Sequence, residues 1–320
     1  MTQLTTPPTD ASTPTPAPAL RPHRIPADGL YEGRRILRRT PDDWPDRPYE
    51  RFEVVPQSAT IGAEIRGLDL SRPLPSALRA ELNRALLEWK VLFFRGQHLT
   101  PVAQRQFAAN WGELETNPLL ARGDSKEVVR FDKTAVGAQT FENVWHTDVT
   151  FRERPAMGAV LQLREVPASG GDTLWADMAG AYDNLPLKIR ERIDGARAVH
   201  DYLPGFSRFF SAAQLAPFQG EFPPVEHPVV RRHPETGRRT LFVNASFTTR
   251  IVGLPEAESD RLLRLLFQQA HVPEFQVRFH WRAGDVAFWD NRATQHYAVC
   301  DYGTQRRVAE RVAIAGDRPY

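Results

Sequence analysis

Residues 145–151 read WHTDVTF, and residues 289–297 read WDNRATQHY. The first stretch supplies His146 and Asp148, and the second supplies His296. Two imidazoles and one carboxylate on one face of a metal, with the other positions open, form the ligand set of non-haem Fe(II) oxygenases. We therefore expect these three side chains to meet around one ferrous ion, in a fold that brings two distant parts of the chain together.

Two arginines, Arg307 and Arg311, follow His296 closely in the sequence. Guanidinium groups bind carboxylates through two parallel hydrogen bonds, so the pair predicts an organic acid beside the metal. Arginines usually lie at protein surfaces, and solvated charges on an edge strand are the alternative interpretation.

A second triplet of the same spacing, His233-Pro234-Glu235, shows how weak this signal is alone. Thr236 and Gly237 follow it, which predicts a surface turn between two strands, where nothing orients metal ligands. Residues 146–148 instead precede Val149-Thr150-Phe151. We expect a β-type segment there, whose residues two apart project to the same side.

The composition favours a globular protein with a small-molecule ligand. The chain has 320 residues, of which 41% are apolar, and its net charge is +2. Because positive and negative side chains nearly balance, the protein has no strong electrostatic field that would attract nucleic acid or an anionic membrane. No stretch approaches the roughly 20 apolar residues that span a bilayer, and no signal peptide is apparent. The single cysteine, Cys300, excludes an internal disulfide and predicts a reducing, cytoplasmic location; the oligomeric state stays open, a homo-oligomer included.

The prolines divide the chain into two parts. Residues 1–29 hold seven of the 27 prolines, and such a segment cannot bury enough apolar surface to offset its ordering entropy. We predict a disordered Pro/Thr-rich tail at 1–29 and a single domain over 30–320, with firm strand signals from Arg51 onward.

Short strands outnumber helices in the predicted domain. Helices are expected at 76–90, 100–111, 185–193 and 256–270, and strands at 91–94, 157–163, 241–244, 275–281 and 286–289. This pattern is typical of a mainly β fold with flanking helices (α+β): an antiparallel double-sheet jelly roll, or cupin-like double-stranded β-helix. The mouth of such a barrel accommodates a metal.

Four separated motifs carry a resemblance to a known family. In chain order they are WHTDVTF at 145–151, GGDTLW at 170–175, FTTRIV at 247–252 and WDNRATQHY at 289–297. Together they resemble the taurine dioxygenase-like (TauD/TfdA) family of Fe(II)- and 2-oxoglutarate-dependent oxygenases. The similarity runs from about Phe52 to Tyr320.

The resemblance implies a role for several residues. His146, Asp148 and His296 match the family's metal ligands and are the expected catalytic centre. Thr173 and Arg307 match the groups that hold the distal carboxylate of 2-oxoglutarate, and Arg311 matches an arginine near the substrate's anionic end. The implied reaction uses Fe(II), 2-oxoglutarate and O2, and couples decarboxylation of the keto acid to hydroxylation of a small organic substrate, with or without cleavage.

The substrate-facing positions depart from the taurine-cleaving members. Asn117 and Leu120 stand where those members place a His and a Tyr, and Glu142 stands where they carry an amide. Phe206 and Phe247 match aromatic pocket walls, although core packing is the alternative for both. We therefore expect an apolar-bodied organic substrate other than taurine, with an anionic group facing Arg311.

Three other functions compete with oxygenation. A cupin-like metal-binding protein or sensor would have no need for the keto-acid clamp at Thr173 and Arg307. A halogenase of the same iron chemistry would need a small residue in place of Asp148. A zinc hydrolase could use the same three ligands, but it would act without 2-oxoglutarate or O2.

Overall fold

The structure is a computed structural model that describes residues 35–116, 126–134, 143–207 and 210–320. The predicted tail, residues 1–29, lies outside these ranges. Strands dominate the described part of the chain, as predicted. They are β1 (Glu53–Pro56), β2 (Ala63–Arg66), β3 (Val91–Phe94), β4 (Val128–Thr134), β5 (Gly158–Glu165), β6 (Thr173–Asp177), β7 (Arg197–His200), β8 (Val225–Pro228), β9 (Val230–Arg232), β10 (Arg239–Leu241), β11 (Thr248–Ile251), β12 (Gln276–Phe279), β13 (Val286–Asp290), β14 (Thr294–Ala298) and β15 (Arg306–Ile314).

The strands form one large sheet and three small ones. Seven strands pair in the order β1-β2-β3-β13-β5-β15-β4, and the smaller sheets are β12-β6-β14, β11-β7-β8 and β10-β9. Pairing is antiparallel except between β2 and β3, which run parallel. The predicted jelly-roll class is confirmed, and the parallel pairing of β2 with β3 is a local exception to its antiparallel pairing.

Aromatic side chains fill the space between the large sheet and the β12-β6-β14 sheet. Phe93 on β3 stacks on Phe279 on β12, with ring centroids 4.0 Å apart, and Trp175 and Trp289 are buried beside them. Phe279 belongs to the alternating strand predicted at 275–281. Val277, Phe279 and Trp281 face this core, whereas Phe275 lies before the strand and packs in a neighbouring cluster. Burial of such large rings contributes most of the packing energy that holds the two sheets together.

Helices flank the sheets. The helix predicted at 185–193 begins two residues later, after Pro186, and the one predicted at 256–270 ends earlier and continues as a 3-10 turn, Gln268–His271. Three short helices, Met178–Asp183, Leu203–Phe206 and Ala212–Gln219, were not predicted. No helix in the described ranges is long and apolar enough to cross a membrane. The helices are α1 (Ser76–Trp89), α2 (Pro101–Ala108), α3 (Met178–Asp183), α4 (Leu187–Ile193), α5 (Leu203–Phe206), α6 (Ala212–Gln219) and α7 (Glu256–Phe267).

The chain makes ordered contacts before Arg51, where the sequence first predicts firm structure. The Tyr49 hydroxyl donates to Glu88 at 2.6 Å, and the buried Lys90 ammonium donates to the carbonyl of Arg39 at 3.0 Å. These bonds attach the irregular segment to the end of α1. A side chain of α1 also satisfies part of its backbone, because the Arg84 guanidinium donates to the carbonyls of Arg47 and Pro48.

Two buried histidines, His200 and His227, lie under the segment that carries Asp148. Their ring centroids are 5.1 Å apart. His227 Nε2 lies 2.9 Å from the carbonyl oxygen of Arg152, and His200 Nδ1 lies 3.0 Å from Thr150 Oγ1. Burial lowers the pKa of His227 to about 4, and burial together with His227 lowers the pKa of His200 well below its usual value. Both rings are therefore neutral in the folded protein.

We expect this pair to make the protein sensitive to mild acid. Unfolded histidine binds a proton below about pH 6.5, whereas folded His227 resists protonation until about pH 4. Unfolding therefore takes up protons between these values, and stability falls as the pH drops, by up to about 1.4 kcal/mol per pH unit per histidine. Urea unfolding at pH 7.5, 6.5 and 5.5 measures this slope.

The variant His227→Gln should show a shallower slope, because its amide can still donate to the Arg152 carbonyl but cannot titrate. His98→Gln, at an exposed histidine, is the matched control and should keep the wild-type slope. Parallel curves for wild type and His227→Gln would contradict the assignment.

Candidate metal centre

Two backbone hydrogen bonds join the histidines of the two conspicuous motifs. His146 N donates to His296 O at 3.1 Å, and His296 N donates to His146 O at 2.8 Å, which makes an isolated antiparallel bridge. The imidazole centroids are 4.1 Å apart. Because β14 is itself held against β6, the bridge fixes His146 to the edge of a sheet. The two distant motifs therefore meet, as the sequence predicted.

Asp148 completes the group, but not through an extended segment. Residues 148–151 form a turn, and Val149 has a left-handed φ of +49°. A β-branched residue is strained there, at a cost of roughly 1–3 kcal/mol. Asp148 Oδ1 lies 3.7 Å from His146 Nε2 and 3.9 Å from His296 Nε2. The three side chains meet as predicted. The predicted β-type geometry holds for the bridge at His146 and is wrong from Asp148 onward, where the chain turns.

Asn291 holds the turn that presents Asp148. Its Oδ1 accepts from the Asp148 backbone N at 2.9 Å, and its Nδ2 donates to the carbonyls of Asp148 at 3.1 Å and Ala156 at 2.9 Å. Asn291 is buried and follows β13 in the second motif. Its side chain therefore ties the aspartate turn to the strand that leads to His296.

The chemistry of the three side chains fits a divalent metal. Their ligand atoms lie within 4.8 Å of one another, and all three residues are buried. His146 Nδ1 is 2.8 Å from the carbonyl oxygen of Val144, so this nitrogen carries the proton and leaves Nε2 for a metal. Asp148 Oδ2 is buried without a hydrogen-bond partner among the described residues. An acceptor in that state is costly to bury unless a cation meets it.

The protonation states also suit a metal. Burial opposes ionisation of Asp148, but Arg311 and the two imidazoles outweigh it and lower the carboxyl pKa. Burial and His146 lower the pKa of His296 well below its usual value. The site therefore presents a carboxylate and a neutral imidazole, the forms that bind Fe(II).

Thr173 and Arg307, the predicted keto-acid clamp, lie together. Arg307 Nε donates to Gly171 O at 3.0 Å, and Arg307 Nη2 lies 3.4 Å from Thr173 Oγ1. Trp281 Nε1 donates to the same hydroxyl at 3.0 Å. Both clamp residues are buried, which aligns the guanidinium and hydroxyl before any ligand binds.

Arg311 contacts the proposed metal ligand directly. Its Nη1 donates to Asp148 Oδ1 at 2.7 Å, and its guanidinium lies over the Phe131 ring at 5.3 Å. The sequence predicted a contact with the substrate and missed this bond to the carboxylate. A cation therefore stands next to the metal position whether or not substrate is bound.

A cavity between the two sheets connects the predicted clamp with His146 and His296. Phe206 and Phe247 lie outside its lining, in a separate apolar cluster with Phe151 and Tyr202. The Phe247 ring meets His146 edge-on, with centroids 6.5 Å apart, so this cluster borders the triad from another side. The cavity is lined by Phe131, Lys133, His146, Leu161, Thr173, Trp175, Trp289, His296, Ala298, Val299, Cys300, Tyr302, Arg307, Ala309 and Arg311.

Three predicted substrate residues, Asn117, Leu120 and Glu142, lie outside the described residues. Glu115, which comes just before the first of them in the sequence, has a largely buried carboxyl that the sequence did not single out. Burial raises the pKa of Glu115 to about 7. The negative charge of Asp148 also raises it, whereas the positive charge of Arg152 lowers it. Arg152 Nη1 lies 3.2 Å from Glu115 Oε2. The sequence holds no local signal for this pair, because its partners are 37 positions apart.

His233 occupies the turn predicted for it, between β9 and β10, but it is not at the surface. The side chain is 2% exposed, and its Nε2 lies 2.9 Å from Asp290 Oδ2. His233 Nδ1 accepts from the backbone N of Glu235 and of Thr236. Both ring nitrogens are therefore engaged within the protein, and the side chain supports the second motif from within the core.

Removing the Asn291 side chain should weaken metal binding. Asn291→Ala deletes three hydrogen bonds at a strained turn, so Asp148 loses its fixed orientation and we expect the Fe(II) dissociation constant to rise roughly tenfold or more, as for other outer-shell partners of metal ligands. Anaerobic Fe(II) titration measures the change. Asn184→Ala, which removes bonds to Ile36 and Gly180 instead, is the control and should bind iron like wild type. Equal affinities in both variants would contradict the positioning role.

Known proteins resemble this chain over most of its length. It is 42% identical over 284 residues to an alpha-ketoglutarate-dependent sulfate ester dioxygenase of Pseudomonas putida, covering 84% of this chain and 91% of the relative. It is 38% identical over 279 residues to an alkylsulfatase of Acinetobacter baylyi, covering 84% and 87%. The crystal structure of a taurine dioxygenase from Burkholderia xenovorans superposes with a TM-score of 0.73 at 40% identity, covering 84% of this chain and 93% of that one.

The model of one protein family, described as taurine catabolism dioxygenase TauD, TfdA family, matches residues 53–313. The match spans both motifs, the clamp residues and Arg311. It agrees with the resemblance that the four sequence motifs indicated and with the jelly-roll architecture. On the evidence of the triad, the fold and these relatives, the chain belongs to the TauD/TfdA family of dioxygenases, which use Fe(II), 2-oxoglutarate and O2.

Proposed function

We propose that this dioxygenase oxidises an alkyl sulfate ester at the carbon that bears the sulfate. The observation that carries the reaction class is one cavity lined by His146 and His296, the two histidines of the His-Asp-His group, and by the buried Thr173–Arg307 clamp. A metal-binding protein or a hydrolase has no use for that clamp. Halogenation would require a small residue in place of Asp148, and the carboxylate at this position therefore argues against it.

His146, Asp148 and His296 would hold the iron on one face and leave the opposite positions for the keto acid and O2. Bound there, Fe(II) supplies the activation of O2 that splits 2-oxoglutarate into succinate and CO2 and oxidises a C–H bond. Arg307 and Thr173 would fix the distal carboxylate. The protein's contribution is thus to orient both acids and to keep the site dry.

The substrate proposal rests on Arg311 and its surroundings. Its Nε is buried without a hydrogen-bond partner among the described residues, so the guanidinium has a donor to offer besides its bond to Asp148. A sulfate ester presents oxygens that such a donor binds. The apolar cluster around Phe151, Phe206 and Phe247 borders the triad and suits an alkyl chain.

The overall reaction balances for a sulfate ester. One oxygen atom of O2 enters succinate, and the other becomes a hydroxyl group on the carbon next to the ester oxygen. That hydroxylated ester then breaks its C–O bond to sulfate, passing the hydroxyl proton to the leaving group. The products are an aldehyde, hydrogen sulfate, succinate and CO2. The sulfate ester dioxygenase and the alkylsulfatase among the relatives support this substrate class.

We also propose that residues 30–320 form one catalytic domain. The pairing of β3 with β13 and of β4 with β15 supports this, because each pair joins early and late parts of the chain in one sheet.

A substrate panel tests the proposal. With Fe(II), 2-oxoglutarate and O2, medium-chain alkyl sulfates should release sulfate and succinate in equal amounts and outperform taurine, alkyl sulfonates and carboxylates. Omitting 2-oxoglutarate should abolish turnover. Taurine as the best substrate, or turnover without 2-oxoglutarate, would contradict the proposal.

A variant of Arg311 tests the proposed contact between its guanidinium and the sulfate group of the substrate. At saturating Fe(II), Arg311→Gln should raise KM for the alkyl sulfate by about tenfold or more, since it removes a charge-assisted hydrogen bond. Arg306→Gln, on the same strand but paired at the surface with Asp132 and Glu165, should leave KM unchanged.

A further inference from the structure

The wall of the cavity formed by β4 and β15 has a regular arrangement of charge. In the antiparallel register, Lys133 lies directly opposite Arg307, and Phe131 lies directly opposite Ala309. All four line the cavity. Side chains alternate across a strand, and the intervening Asp132 accordingly points outward to pair with Arg306 at 2.7 Å. The register therefore turns Lys133 inward, at the end of the cavity that holds the clamp.

The charged side chains in the lining of this cavity are cationic among the described residues. Lys133 and Arg307 lie at the clamp end, Arg311 lies beside Asp148, and none of the described lining residues is a carboxylate. Lys133 is half-buried and Arg307 is buried. Two cationic side chains placed opposite each other in one cavity wall suit an anionic ligand.

The geometry of Arg307 leaves room for a second cation. Its Nε donates to Gly171 O, and its Nη2 lies 3.4 Å from Thr173 Oγ1. These contacts fix the orientation in which the guanidinium meets a ligand. A carboxylate has about four acceptor positions on two oxygens, more than Arg307 and Thr173 occupy. A residue directly across the ladder, with its side chain about 5 Å away at Cβ, lies within reach of the remaining positions.

We propose that Lys133 is a second cationic contact for the distal carboxylate of 2-oxoglutarate and makes the site selective for keto acids that carry two carboxylates. The proposal rests on the use of 2-oxoglutarate by this cavity. Lysine acts as a point charge, whereas Arg307 supplies directional bonds, so the two residues contribute attraction and alignment respectively.

Direct binding under anaerobic conditions tests this inference without turnover. Calorimetry on the Fe(II)-loaded protein compares 2-oxoglutarate with 2-oxopentanoate, which has the same carbon chain and lacks the distal carboxylate. Lys133→Met should weaken 2-oxoglutarate binding by about tenfold, as expected for loss of a charge-assisted contact, and should change 2-oxopentanoate binding by less than twofold. Lys133→Arg should retain most of the affinity for 2-oxoglutarate.

Lys126→Met, an exposed lysine just before β4, is the matched control and should bind both acids like wild type. Unchanged 2-oxoglutarate affinity in Lys133→Met, or an equal loss for both acids, would overturn the role of Lys133. Should Lys133→Met not fold, Lys133→Gln answers the same question. If the wild type itself does not bind 2-oxoglutarate, that result contradicts the proposed function, and with it the role of Lys133.

Discussion

The pair of backbone hydrogen bonds between His146 and His296 is the constraint on which the site depends. It joins two segments 150 positions apart and sets both imidazoles side by side before any metal arrives. Asp148 reaches them only because the chain turns sharply at Val149, against the local preference of a β-branched residue. Asn291 stabilises that turn from the second motif. The strain is thus maintained by the same motif that supplies the third ligand.

Strand β15 carries both arginines of the proposed site. Arg307 and Arg311 are four residues apart on one strand and so face the same cavity. Arg311 contacts the carboxylate of Asp148, and Arg307 belongs to the proposed keto-acid clamp. The central position of β15 between β5 and β4 makes this spacing rigid. A strand can therefore fix the distance between the metal and the far end of the keto acid more precisely than a loop could.

Much of this arrangement follows from the sequence, and the exceptions have physical causes. The meeting of His146, Asp148 and His296, the closeness of Thr173 to Arg307 and the jelly-roll class could be predicted, because His, Asp and Arg carry specific chemistry and their motifs are separated and ordered. The turn at Asp148 was not, since Val149-Thr150-Phe151 favours a strand by composition and long-range bonds override it. The burial of His233 was missed for the same reason, because its partner Asp290 is 57 positions away. The parallel pairing of β2 with β3 was also missed, because no local sequence pattern indicates the direction in which these two strands pair.

The most direct test of the central claim is the visible absorption of the anaerobic protein with Fe(II) and 2-oxoglutarate. A keto acid chelated to ferrous iron gives a weak charge-transfer band. We predict this band in the wild type and in His98→Ala. In His296→Ala we predict that the band is lost while the circular dichroism spectrum of the protein is unchanged. Absence of the band in the intact protein, or its persistence in His296→Ala, would contradict a ferrous centre built from His146, Asp148 and His296.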